Sequence, residues 1–120
     1  MAVGDRANFS GDVTLVAPTG GVVRGNIYLI ADNYWVARET ADAAATFLAA
    51  NPAVGAVEVA KIAGAAMVVG DKIFVKTAAV APATSTGASL VLGGVGVLVA
   101  AASAATVVTI GPIAMTNNVT

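Results

Sequence analysis

The sequence predicts an all-β fold: a small sandwich or barrel of about seven short strands, with one short Ala-rich helix at about residues 40–50 and an extended N-terminal arm. Three observations predict it. Val is abundant, 20 of 120 residues, and Gly supplies 13, whereas Leu numbers only 6; β-branched side chains suit a pleated, half-buried surface. Turn residues recur at short, regular intervals along the chain. Between them, apolar and polar residues alternate with the period of a strand, as in "AVEVAKIA" at 56–63.

Residues 1–11 are polar and without pattern, and read as an arm preceding a single β-rich domain over 12–120. "DVTLVAP" is a strand stopped by Pro18, Thr19, Gly20 and Gly21. Gly25-Asn26 turns the chain into a strand from Ile27 to Ala31. Asp32-Asn33 turns it again into "YWVAR", so a hairpin is expected there. "ETADAAATFLAANP" departs from this pattern. Thr40 suits a helix cap, the Ala run favours a helix, and Asn51-Pro52 ends it, which predicts about ten helical residues. "AVEVAKIA" is a half-buried strand with Glu58 on its outer face. Gly70-Asp71 then leads into the strand "KIFVKTA", and "APATSTGAS" is a loop. Two apolar strands close the domain: Leu90 to Val99, bent or bulged at its glycines, and Thr106 to Ile110 with "GPIAM" as an extension. The phrases "VVRGNIYLI" and "VVGDKIFV" nearly repeat one another. Either the chain is internally duplicated, or two turns of one kind precede two strands of one kind.

Charge and composition exclude much chemistry. The net charge of −1 gives no electrostatic reason to expect nucleic acid or an anionic membrane as a partner. There is no Cys and no His, hence no disulfide framework, no thiolate nucleophile, and neither the commonest metal ligand nor the commonest general base. Lys76 is the last ionisable side chain, so residues 77–120 carry none. A tract of that length without charge is expected to need cover from identical copies, a large partner or a bilayer. The bilayer is disfavoured by Gly93, Gly94 and Gly96 and by the lack of flanking Lys or Arg.

The motifs that might carry a reaction do not hold. Gly94-Val95-Gly96 lacks the third small residue and the following helix of a dinucleotide fingerprint. The carboxylates Asp5, Asp12, Asp32, Glu39, Asp42, Glu58 and Asp71 mostly occupy turns or exposed strand positions, and no serine has a histidine to activate it. No enzyme, no cofactor and no metal is expected. The candidate partner-binding residues are the aromatic pair Tyr34-Trp35 and the arginines flanking its hairpin, Arg24 and Arg38, which suit acidic groups of a partner. Because neighbouring strand residues face opposite ways, at most one of the two aromatics belongs to the core. The same pair offers an alternative reading, a sugar-stacking platform on a small surface-displayed glycan-binding module.

The order of phrases carries a resemblance. An N-terminal arm leads into "GDVTLVAPTGGVVRGNIYLI", followed by "VEVAKIAGA", by "MVVGDKIFVKTAAVAPATSTG" and by "LGGVGVLVAAASAATVVTI". In that order the chain resembles the small capsid decoration, or cement, proteins of tailed bacteriophages. The resemblance implies a β-rich, non-enzymatic protein on the outer capsid surface of the virion. Its partner would be the major capsid protein, and it would assemble as a homo-oligomer, with a trimer favoured. On that reading the arm 1–11, with Phe9, and the tail are expected to lie across a neighbouring capsomer.

Overall fold

The computed structural model describes residues 12–82 and 90–113, and these contain nine strands and no helix. A four-stranded antiparallel sheet is built from β1 (Asp12–Val16), β2 (Ile27–Ile30), β3 (Asn33–Ala37) and β4 (Thr46–Ala50), in the order β1-β4-β3-β2. A five-stranded sheet follows from β5 (Val57–Ala60), β6 (Lys72–Lys76), β7 (Ala79–Ala81), β8 (Leu90–Val99) and β9 (Val107–Pro112), in the order β5-β9-β8-β6-β7. The second sheet closes on itself. β7 returns to the end of β5 through a parallel bridge between Lys61 and Val80, with the Ile62 amide donating to the Val80 carbonyl at 3.1 Å. This unit is therefore barrel-like, while the first is an open sheet.

The near-repeat of the sequence reflects one hydrogen-bond plan executed twice. In the first unit Val22 and Ala41 exchange both amide bonds; in the second Met67 and Ala101 do. The Gly25 amide donates to the Ala37 carbonyl, as Gly70 does to Val97. Ala37 returns a bond to Asn26, as Val97 does to Asp71. Ala17 donates to Ala45 as Lys61 does to Thr106, and the tight turns Asp42–Ala45 and Ala102–Ala105 each close with one bond. Strand pairing agrees: β1-β4-β3-β2 maps onto β5-β9-β8-β6, with β7 as an addition. We take the chain to be two tandem copies of one β unit, each a short sheet strapped across one face by the segment before its second strand.

The interiors correspond as well. Leu15, Val22, Tyr28, Ile30, Trp35, Ala37, Phe47 and Ala49 cluster in the first unit. Val59, Met67, Ile73, Val75, Val95, Val97, Val108 and Ile110 take the matching places in the second. Each fully buried side chain of this kind contributes roughly 1.5–3 kcal/mol. The exception is Ala17, whose counterpart is Lys61, only 4% exposed. Its ammonium donates to the carbonyls of Ile62 (2.8 Å), Ala105 (3.1 Å) and Ser103 (3.4 Å). A buried cation is tolerable only when its donors are satisfied, and here it stitches the 103–105 turn to the end of β5.

Two expectations are corrected. Residues 39–52 form no helix: 41–45 bridge and turn, and Thr46–Ala50 is β4. The helical preference of Ala amounts to tenths of a kcal/mol per residue over its competitors, and a ten-residue helix is marginal in isolation. Pairing with β1 from Asp12↔Ala50 to Val16↔Thr46 outweighs it and buries Phe47 and Ala49 on one face. The strand count is nine rather than seven, partly because β7 follows a two-residue turn, Thr77-Ala78, that has no Gly or Asn. Both residues take positive φ, 46° and 64°, as do Ala31 (52°) and Asp32 (68°) in the β2–β3 hairpin, the geometry of a type I′ turn. That hairpin turns one residue earlier than its Asp-Asn signal suggests. β8 is bulged where expected: its register on β6 jumps from Ile73↔Leu92 to Lys72↔Gly96, and Gly94 sits in the gap with φ 73°. Residues 1–11 lie outside the described residues.

The uncharged tract also reads differently in three dimensions. β8 and β9 are inner strands of the barrel, and Val80, Ala81, Val95, Val97, Val108 and Ile110 fill it. Part of the absence of charge is thus met inside the chain itself. Another part, including Val99, Ala100, the 102–104 turn and Val107, faces outward.

Candidate partner interface

The two units meet at a joint. The Ala60 amide, on the edge of β5 away from β9, donates to the Gly25 carbonyl at 2.7 Å, and the Ile27 amide donates to Ala78 at 3.0 Å. Ile27, Val36 and Ala50, on the back of the first sheet, join the core of the second unit, with Tyr34 packed beside them. Beside this joint lies an open cleft of about 510 Å³. Arg24 and Arg38 line it from the first unit; Glu58 and Val107 line it from the second.

Both arginines expected from the sequence therefore come to one place. Arg24 stands in the turn before β2, its amide donating to Thr40 Oγ1 at 3.1 Å. Thr40 so acts as a loop acceptor rather than a helix cap. Arg38 follows β3 and contacts Asp12, Nη1 to Oδ2 at 3.2 Å. Its side chain is half exposed, so this pair contributes only about 0–1 kcal/mol and leaves the guanidinium available to a better acceptor. The neighbouring Glu39 is occupied with the backbone: its Oε2 accepts from the Leu48 amide at 2.8 Å.

Tyr34 and Trp35 are not part of the cleft. Tyr34 faces the core of the second unit, and burial raises its phenol above the usual range. Trp35 faces the other way, onto the first unit's own cluster, where Tyr28 is its cross-strand partner. Each ring is half-buried, and the two lie on opposite sides of one strand, so they do not form a single stacking surface. Tyr28 has a further task, its hydroxyl accepting from the Val23 amide at 2.8 Å. In the second unit the equivalent amide, Val68, is satisfied by Asp71 Oδ2 at 2.9 Å. Two different side chains thus serve one backbone need. Phe9 lies outside the described residues.

Sequence reasoning missed Glu58 as a neighbour of the arginines, because β5 reaches them only through the duplication. It also missed the apolar outer surface. Val16, Leu29, Val68, Val69 and Val99 are each more than half exposed. Among the described residues, no cluster of His, Cys, Asp or Glu is arranged to hold a metal ion, and no helix is long and apolar enough to cross a membrane. Comparison of the chain with protein-family models, with curated proteins and with solved structures finds no match.

Proposed function

We propose that this chain is a non-catalytic structural protein of a bacteriophage head. In this reading it binds the outer surface of the assembled capsid, partners the major capsid protein and stabilises the shell as a homotrimer. The observation that carries the reading is the number of large apolar side chains held out to solvent on a rigid β scaffold, Val16, Val68, Val69 and Val99 among them. Val68, Val69 and Val99 lie together where the strap crosses β8, and a cluster of exposed apolar side chains suits a place for another protein. The resemblance in the order of phrases points to which protein. Arg24 and Arg38 at the rim of the cleft offer bidentate donors to acidic groups of the capsid, and many equivalent sites on a shell would turn weak contacts into stable occupancy.

The test is co-sedimentation of the purified protein with intact, DNA-filled heads that lack it. Saturable pelleting is expected. Deleting residues 1–9, with Phe9, should lower occupancy without changing the circular dichroism of the domain. A protein that stays in the supernatant at all ratios and binds immobilised glycans instead would replace this reading with the sugar-binding one.

A further inference from the structure

We infer that copies of this chain associate head to tail, with β1 of one copy set against the Val68–Gly70 turn of the next, so that the joint inside each chain is repeated between chains. This deepens the homo-oligomer part of the proposed function and rests on it, but its geometry comes from the duplication alone.

The joint inside the chain has two sides. One is the edge of the unit's first strand away from its sheet neighbour β9: the amide of Lys61 points inward to β9, so that of Ala60 points outward and finds the Gly25 carbonyl of the other unit. The second side is the turn carrying that carbonyl. Apart from Ala78, in the added β6–β7 turn, the residues of the joint have counterparts, and the counterparts of each side lie on the opposite unit. Ala60 corresponds to Val16, and the Ala17 amide likewise points inward to Ala45, which sends the Val16 amide to the outer edge of β1. Gly25 corresponds to Gly70, which has the same left-handed conformation, φ 93° against 89°. Among the described residues no strand pairs with the outer edge of β1, and no backbone donor reaches the Gly70 carbonyl. One donor edge and one acceptor turn are thus left over at different places on the molecule.

The side chains at the leftover positions differ in a telling way from those at the filled joint. Inside the chain the cleft beside the joint is lined by Arg24, Arg38 and Glu58. Their counterparts are Val69, Leu98 and Thr14, and Val16 replaces Ala60. Val69 and Val16 are 63% and 59% exposed, with Val68 and Val99 beside Val69. Val99 lies across from Val68 and Val69 because the strap is bonded to β8 at Met67–Ala101 and Gly70–Val97, on either side of it. Apart from Asp12 at the far end of β1 and Asp71, whose carboxylate accepts from the Val68 amide, edge and turn carry no charge, as suits a contact that excludes water. The occupant is a second copy because the complementary surface is already on the chain. Such a contact is heterologous, the kind that closes a cyclic trimer. One part of the internal joint does not recur: Ile113 and Ala56 already lie over Gly96 and Gly111, the counterparts of Val36 and Ala50.

The experiment uses Val16→Asp and Val69→Asp in the full chain, with Val54→Asp, exposed elsewhere, as control. Light scattering of the wild type is expected to give a multiple of the 11.7 kDa subunit mass. Each joint variant should fall to one subunit with unchanged circular dichroism, while the control keeps the native mass. An equimolar mixture of the two variants should recover a pair and grow no further, because only one native joint can form. A wild type of single-subunit mass at high concentration, a joint variant of native mass, or a mixture that stays monomeric overturns the inference. Binding of wild type and joint variants to heads, measured alongside, separates the two readings. Assembly without head binding removes the capsid reading and leaves the joint, whereas head binding by variants of native mass does the reverse.

Discussion

The two units differ less in plan than in how each closes. The first is an open sheet whose cluster is plugged by aromatic side chains, Phe47, Trp35 and Tyr28. The second fills the matching positions with Val108, Val95 and Ile73 and closes its sheet by adding β7. Where the first unit has Ala17, the second has Lys61 tying three carbonyls together. The comparison teaches that a single hydrogen-bond plan accepts two fillings, one of few large rings and one of many small branched side chains plus a closed ladder. The open unit leans on the closed one: Ile27, Val36 and Ala50 are buried in one cluster with the second unit's core.

The difference can be broken at its largest element first. Phe47→Ala is expected to cost about 3–5 kcal/mol in urea unfolding, because it empties the first unit's cluster. The milder Ile110→Val in the other unit should cost about 0.5–1.5 kcal/mol. A loss below about 1 kcal/mol for Phe47→Ala would mean that the aromatic filling is not a packed core. Lys61→Met comes next. It removes the ammonium's bonds to the carbonyls of Ile62 and Ala105, while the Ser103 carbonyl keeps the Gly64 amide, and an unsatisfied, partly buried acceptor costs up to about 1–3 kcal/mol; an unchanged melting temperature would deny Lys61 its role as the stitch. The equivalence of the units is sharpened by Gly25→Ala and Gly70→Ala. Both sites have positive φ and open space around the missing Cβ, so each should lose about 1–2 kcal/mol from backbone strain and the two values should agree. Gly21→Ala must lose more, since its Cβ would fall 2.6 Å from the Ala41 carbonyl oxygen. The smallest effect belongs to Arg38→Ala, within about 1 kcal/mol of wild type because its Asp12 pair is exposed. A larger loss would make that arginine part of the scaffold rather than of a binding rim.

The all-β class, the β2–β3 hairpin and the glycine bulge of β8 were legible in the sequence because each rests on local chemistry: branched side chains, turn residues, a missing Cβ. The paired phrases around Gly25-Asn26 and Gly70-Asp71 held the duplication in plain view, yet turn grammar alone explains them equally well until the hydrogen bonds are counted across both units. The Ala-rich segment misled because the preference of Ala for helix is small, and the partner that overrides it, β1, lies some thirty residues earlier. β7 was hidden for the opposite reason, its turn being made by Thr77 and Ala78, which give no turn signal. Of the candidate site, the proximity of Arg24 and Arg38 followed from their places beside one hairpin. Glu58 did not, since it reaches them only through the joint between units.

The central claim is that one β unit, written twice, makes a subunit with a second, unfilled joint completed by another copy. Residue-resolved amide hydrogen exchange tests it most directly at two equivalent amides, Ala60 and Val16. The account predicts that Ala60 exchanges slowly at every protein concentration, held by Gly25, whereas Val16 exchanges fast in dilute solution and slows as subunits assemble. A Val16 amide that exchanges equally fast in the assembled and the dissociated protein would contradict it.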